Sequence, residues 1–433
     1  MQHGANASRP VLLSPDRMTT TASPTATRAP AMGFIMAAVL IDMISIGLIV
    51  PVLPHIVGVF THSNDEQTQG FLMLTLAFGI ANFFGSPVLG ALSDRYGRRP
   101  VLLIGFAGLA LSFFVTATAP ALWVLVVVRL FSGAMQANIA IANAYVADIT
   151  AGEDRAKRFG QLGAMFGLGF MLGPVIGGLL GDINVRLPFY AAGTLAIVNW
   201  CYGFFVLPES LPLEKRRPLD WRKMNPVASL QGLTGLQGVG PLVLVLSLSS
   251  LAQFMLHTSW VLYTKFKFGW GPGQVGWSLL AVGVASVLSQ GVLLKPMLKR
   301  FTPQKLAVIG MTSASLGYLG FGLASEGWMM YAVIALNLFG GVAAASMQSI
   351  ISNAADATQQ GRTMGAVSSL NSLMAVCAPV IALELLRWVS TRPPGDIVIG
   401  LPFFTCAALQ AVAMLITLRF FRSHPPVQPA QPA

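Results

Sequence analysis

Charge is what this chain has least of: only 10% of its 433 residues are charged, and just 16 are acidic. With 54% hydrophobic residues and a mean hydropathy of +0.67, too little polar surface remains to clothe a soluble core of this size. The composition excludes a soluble globular domain and indicates a polytopic membrane protein. Cysteine is also scarce. Cys201, Cys377 and Cys406 lie inside apolar runs with no metal-ligand spacing and no near pair, so neither a disulfide framework nor a metal site is expected. No His-rich cluster, serine nucleophile elbow or Gly-x-x-x-x-Gly-Lys-Ser/Thr loop occurs, which argues against an integral-membrane enzyme and against ATP hydrolysis as a drive. The net charge of +11 forms no stripe on a soluble domain. Its basic residues sit in short loops beside apolar runs, where membrane topology explains them and nucleic-acid binding is not expected.

What is present is a series of long apolar runs, at about 33–54, 71–92, 101–119, 121–143, 161–181, 188–207, 241–263, 273–294, 306–324, 328–352, 362–386 and 398–420. A hydrocarbon core about 30 Å thick needs roughly 20 apolar residues per helix, so each run is long enough to span. The pattern predicts an all-α integral membrane protein of twelve transmembrane helices in two six-helix bundles. Its organisation is expected to be a disordered cytoplasmic tail (1–31, with Met18 and Met32 as further possible starts), an N-terminal bundle (32–207), a charged cytoplasmic linker (208–240), a C-terminal bundle (241–421) and a short tail (422–433). Basic clusters at Arg95/Arg98/Arg99, Arg155/Lys157/Arg158, Lys215 to Lys223 and Lys295 to Lys305 fall on one side and place both termini in the cytoplasm. Lys265, Lys267, Arg387 and Arg392 break this rule, since the alternation puts them in outer loops.

An internal repeat supports the two halves. Gly90-Ala-Leu-Ser-Asp-Arg-Tyr-Gly-Arg-Arg-Pro-Val-Leu-Leu-Ile-Gly105 aligns with Lys295-Pro-Met-Leu-Lys-Arg-Phe-Thr-Pro-Gln-Lys-Leu-Ala-Val-Ile-Gly310, each between the second and third span of its half. Arg95-Tyr96 matches Arg300-Phe301, and Lys299 replaces Asp94.

Four features carry candidate chemistry. Asp42 lies about halfway along the first run, where inserting a carboxylate costs roughly 3 kcal/mol, so it is expected to face a cavity and to exchange a proton. Arg129, in Val126-Val-Val-Arg-Leu-Phe-Ser-Gly133, is well inside the fourth run and needs a partner; Asp42 is the candidate. The fifth run carries Gly169, Gly173, Pro174, Gly177 and Gly178, small residues that permit close helix contact and a local kink. Asn138, Gln253, His257, Asn337, Gln348 and Asn371 are candidates for a polar substrate cavity, although amides also bridge helices and the favoured reading of His257 is a hydrogen-bonded structural residue rather than a proton site. Asp148 is either part of the cytoplasmic charge cluster or a solvated helix end. Glu384, near an outer helix end, ranks below Asp42.

The loop Gly90, Asp94, Arg95, Gly97, Arg98, Arg99 closely resembles the signature loop of major facilitator superfamily transporters, and Gly173-Pro174-Val-Ile-Gly177-Gly178 resembles the motif of its drug/proton antiporters. With Gly47-Leu-Ile-Val-Pro-Val-Leu-Pro54, Arg129 and Trp260-Val-Leu-Tyr-Thr264, the chain is similar to tetracycline/proton antiporters from about residue 33 to 420. The resemblance implies a monomeric, inner-membrane antiporter that exchanges protons for a small amphipathic compound, with Asp42 and Arg129 in proton coupling and the Gly90 loop as gate. It implies no cofactor, the proton gradient being the drive. Where tetracycline exporters carry acidic or histidine residues in spans three, eight and nine, this chain offers Ser112, Ser286 and Thr312. The alternatives left open are an uptake symporter of the same fold and a membrane receptor or scaffold.

Overall fold

A computed structural model describes residues 28–150, 154–219, 240–343, 346, 347, 350 and 360–423. Among these residues every regular element is a helix. Eleven are long and apolar enough to cross a membrane: span 1 (Met32–Gly58), span 2 (Asn64–Tyr96), span 3 (Arg98–Thr118), span 4 (Leu122–Ile149), span 5 (Lys157–Ile183), span 6 (Leu187–Val206), span 7 (Gly240–Phe268), span 8 (Pro272–Leu293), span 9 (Pro303–Leu323), span 11 (Ser369–Val389) and span 12 (Ile397–Ser423). A shorter apolar helix, Gly327–Ala343, occupies the place of span 10. The linker residues 220–239, the tail residues 1–27 and 424–433, and Gln348 lie outside the described residues.

Local chemistry sets the helix ends. Ser63 accepts from the Glu66 N–H at 3.1 Å and Glu66 accepts from the His62 N–H at 2.8 Å, a reciprocal cap that starts span 2 earlier than its apolar run. The helix then runs 33 residues to Tyr96, about 50 Å, and stops at Gly97, whose φ of +108° suits glycine. The repeat copy turns differently: span 8 continues to Arg300, and Thr302 caps span 9 through the Lys305 N–H. Two spans are irregular. Span 4 breaks at Gln136–Ala137 between helices Leu122–Met135 and Asn138–Ile149, and span 8 contains a π-helical segment, Leu288–Leu293.

Spans 1–6 enclose two apolar cores, one around Ile35, Leu102 and Tyr145 and one around Leu48, Leu74 and Phe189. A third, around Met255, Tyr263 and Phe403, draws on spans 7, 8, 9, 11 and 12 and the helix Gly327–Ala343, and also takes in Phe71 of span 2, so it crosses between the halves. The halves meet at the end away from the chain termini. There Arg387 Nε lies 2.7 Å from Asp65 Oδ1, Lys265 Nζ donates to Gln67 Oε1 at 2.5 Å, and the Gly273 N–H donates to Asp182 Oδ1 at 2.9 Å. A Cβ placed on Gly160, Gly163 or Gly167 of span 5, or on Gly291 of span 8, would meet nothing within 4 Å among the described residues.

Lys265 and Lys267 are not loop residues. Both lie within span 7, with Lys267 buried and donating to the Gly322 carbonyl at 2.7 Å. Their exception to the basic-residue rule has a structural cause, because each ammonium is held by the protein.

Candidate functional site

Asp42 sits mid-way along span 1 and is 4% exposed. Its neighbour is the carboxamide of Asn138, whose Nδ2 lies 3.2 Å from Oδ1 and 3.5 Å from Oδ2. Asn138 reaches it because the break in span 4 restarts the helix at that residue, and because Gly105 of span 3, lacking a side chain, leaves room for the amide. Among the described residues the Oδ1 atom of Asn138 is buried with no partner, and the carboxamide's hydrogen bonds go to Asp42. Asn199 of span 6, fully buried, donates to the Ala38 carbonyl at 3.0 Å and fixes span 1 one turn before the carboxylate.

The expected pair between Asp42 and Arg129 is not formed. Arg129 makes no ion pair among the described residues; its guanidinium lies over the Phe78 ring, 5.6 Å from the centroid. The physical reason is the helix break: Arg129 belongs to the segment before it, facing span 2, while Asn138 begins the segment that faces span 1. Asn138, singled out as a cavity residue, is 3% exposed and is engaged with the carboxylate.

Span 5 packs on span 1 through its glycines. A Cβ on Gly173 would lie 2.7 Å from the Gly47 Cα, and one on Gly169 would press on Met43 and the Leu40 carbonyl, the turn that carries Asp42. Gly177 faces the Leu48 backbone. Gly178, a quarter-turn away, faces Pro272 of span 8, and the Pro174 carbonyl meets Gly276. One segment thus joins the Asp42 helix to the opposite half.

The Gly90 loop is tied to the first half and to the start of the linker, where the Arg217 N–H donates to the Asp94 carbonyl at 3.1 Å. Arg98 Nη1 pairs with Asp94 at 2.5 Å, Nε with Asp148 at 3.1 Å, and Nη1 also donates to Ser93 at 2.7 Å. Asp94 does not cap a helix. That work falls to Glu209, after span 6, whose carboxylate accepts from the backbone N–H groups of Arg98 (2.8 Å), Arg99 (3.3 Å), Ser210 (3.0 Å) and Leu211 (3.1 Å). Sequence reading missed Glu209; its only signal is a carboxylate closing an apolar run. Arg95 is exposed, stacking on Tyr96, and Gly90 has open space around it.

The second half offers a polar strip on span 7. Ser250, Gln253 and His257 share a helix face; Ser250 Oγ donates to Asn371 of span 11 at 2.7 Å, and Gln253 lies between His257 and Tyr318 of span 9. Asn337 is elsewhere, accepting from Ser313 at 2.9 Å in the groove between spans 9 and 10. Ser112 is buried with its hydroxyl on the Leu109 carbonyl, whereas Ser286 is exposed and Thr312 bonds the Val308 carbonyl. Among the described residues no three His, Cys, Asp or Glu side chains are grouped to hold a metal.

Two bundles of spans joined through a glycine-rich fifth helix, with a carboxylate buried inside the first rather than facing a cavity, can be compared with known proteins. The sequence profile of the Major Facilitator Superfamily matches residues 35–256 and 242–433. The chain belongs to the Major Facilitator Superfamily. It is 37% identical over 355 residues to the class C tetracycline resistance protein of Escherichia coli, covering 82% of this chain and 89% of that one. It is 33% identical over 378 residues to the class D tetracycline resistance protein of Salmonella ordonez, covering 87% and 94%. The human organic anion transporter MFSD10 (TETRAN) shares the fold, with a TM-score of 0.65 at 21% identity over 90% of this chain and all of that one. This Major Facilitator protein is accordingly a multi-pass membrane transporter and not an enzyme.

Proposed function

We propose that this transporter is a proton-coupled antiporter that exports a small amphipathic, drug-like compound across the cytoplasmic membrane, with both termini in the cytoplasm. The observation that carries the reading is Asp42: a carboxyl group in mid-span, 4% exposed, with one amide neighbour and no cation paired to it among the described residues. A permanently charged, unpaired carboxylate there would be costly, and taking up a proton removes the cost. Loading and losing that proton changes what span 1 presents to span 5, and Gly173, Gly177 and Gly178 carry the change to the other half. Inward proton flow supplies about 2.3 kcal/mol per 100 mV of membrane potential and about 1.4 kcal/mol per pH unit.

Tetracycline, the compound in the names of the 37% and 33% identical relatives, is the first substrate to test. In inverted membrane vesicles, an acid interior should drive uptake of the exported compound, and D42N should abolish that uptake while the protein remains in the membrane. Transport by a well-inserted D42N variant at the wild-type rate would remove Asp42 as the proton carrier. Accumulation only under the opposite gradient would favour a symporter.

A further inference from the structure

The polar strip on span 7 has a defined hydrogen-bond direction. Tyr318 Oη, on a residue 3% exposed, donates to Gln253 Oε1 at 3.0 Å. With its oxygen occupied, the Gln253 carboxamide presents Nε2 to His257, 3.2 Å from the imidazole Nε2. An amide nitrogen only donates, so His257 Nε2 is the acceptor and the ring proton sits on Nδ1. No described residue accepts from Nδ1. Gln253 and His257 are both exposed although they lie in the middle of a span, and the same face carries Ser250. Such groups facing lipid would be left without partners, so the face opens on the water-filled space between the halves.

From this geometry we infer that His257 is a ligand-binding residue, a neutral imidazole whose Nδ1–H is held ready by the Tyr318–Gln253 relay to donate to an oxygen acceptor on the transported compound. The class of ligand follows: an amphipathic molecule carrying a carbonyl, enolate or phenolate oxygen beside an apolar ring system. The apolar part has its counterpart beside that face, where Phe254 and Leu256 of span 7 flank Gln253 and His257 and are partly buried against the second-half core. The relay also assigns a division of labour. Asp42 in the first half takes the proton, and His257 in the second half takes the compound; a second proton on Nε2 would face the Gln253 amide donor and find no acceptor. This inference rests on the transporter reading but not on its direction or on its coupling to protons.

The test uses the full-length protein purified in detergent, without any gradient. Nitrogen-15 spectra of the imidazole, assigned by the loss of its signals in H257A, should show a neutral ring protonated at Nδ1 at pH 7.5. Equilibrium binding is then measured with tetracycline, which carries keto-enol oxygens, and with tetraphenylphosphonium, which carries no oxygen. H257A should weaken tetracycline binding by about tenfold, the loss of one to two ordinary hydrogen bonds, and leave tetraphenylphosphonium binding within about twofold. H257Q, which keeps an N–H donor, should recover part of the loss, and Y318F should weaken tetracycline alone. A ring protonated at Nε2, equal loss for both probes, or no saturable tetracycline binding by the wild-type protein would each overturn the inference. Loss of proton-driven transport in vesicles with the binding pattern intact would instead count against the antiporter reading.

Discussion

Adding one methyl group at Gly173 should disable this protein, whereas the same change at Gly163, ten residues earlier on the same helix, should not. A Cβ at Gly173 would stand 2.7 Å from the Gly47 Cα and 2.8 Å from the Ile44 carbonyl oxygen, both backbone atoms that no rotamer change can move. Ordinary carbon contacts begin near 3.5 Å, so spans 1 and 5 must separate by most of an ångström. Overpacking of this kind costs about 1 to 3 kcal/mol, a shift of roughly 5-fold to 150-fold between packings of the two helices. The shift acts where it matters, because Gly169 and Gly173 abut the turns around Asp42 and Gly178 abuts Pro272 of the other half. Gly163 faces open space, and alanine there gains helix propensity of about 1 kcal/mol. The assay is initial transport rate in inverted vesicles at equal protein level, with thermal unfolding in detergent alongside. G173A should lower the rate about tenfold or more and reduce the Tm, and G163A should leave both near wild type. Equal behaviour of the two variants would refute the argument from helix contact.

Two further outcomes follow from the contacts around that axis. The far end is closed by Asp65 with Arg387 and by Gln67 with Lys265, so R387A combined with Q67A should raise labelling of a cysteine introduced at Ala77 by a thiol reagent added from that side; unchanged labelling would show that these contacts do not restrain opening. E209A should lower the Tm by removing the acceptor for four backbone N–H groups, a loss of about 1 to 2 kcal/mol by analogy with helix caps, and an unchanged Tm would mean that water satisfies them equally well.

Much of this was legible without coordinates because it depends on local composition. Twelve apolar runs, a charge-bearing turn repeated after 205 residues, and glycines every fourth residue in the fifth run state span number, duplication and the close-packing helix by themselves. A carboxylate at position 42 is conspicuous for the same reason: nothing else acidic lies in its run. Partners were another matter. Arg129 reads as the natural counter-ion of Asp42 only while span 4 is taken as one straight helix; the break at Gln136–Ala137 turns Arg129 toward Phe78 and delivers Asn138 instead. No strong breaker marks that point, since neither Gly nor Pro occupies 136 or 137.

The same division holds elsewhere in the chain. Asp94 stands beside the turn, but capping needs an oxygen at the following helix's first N–H groups, and the chain returning from span 6 brings Glu209 there. Lys265 and Lys267 looked like loop charges because sequence shows that a residue is basic and not whether a carbonyl from another helix lies 2.7 Å from it. Periodicity and composition determined that this protein crosses the membrane in two related halves and which spans hold unusual residues. Tertiary structure alone decided which of those residues touch, because a hydrogen bond depends on distances of a few tenths of an ångström set by helix breaks and by glycines that let backbones approach.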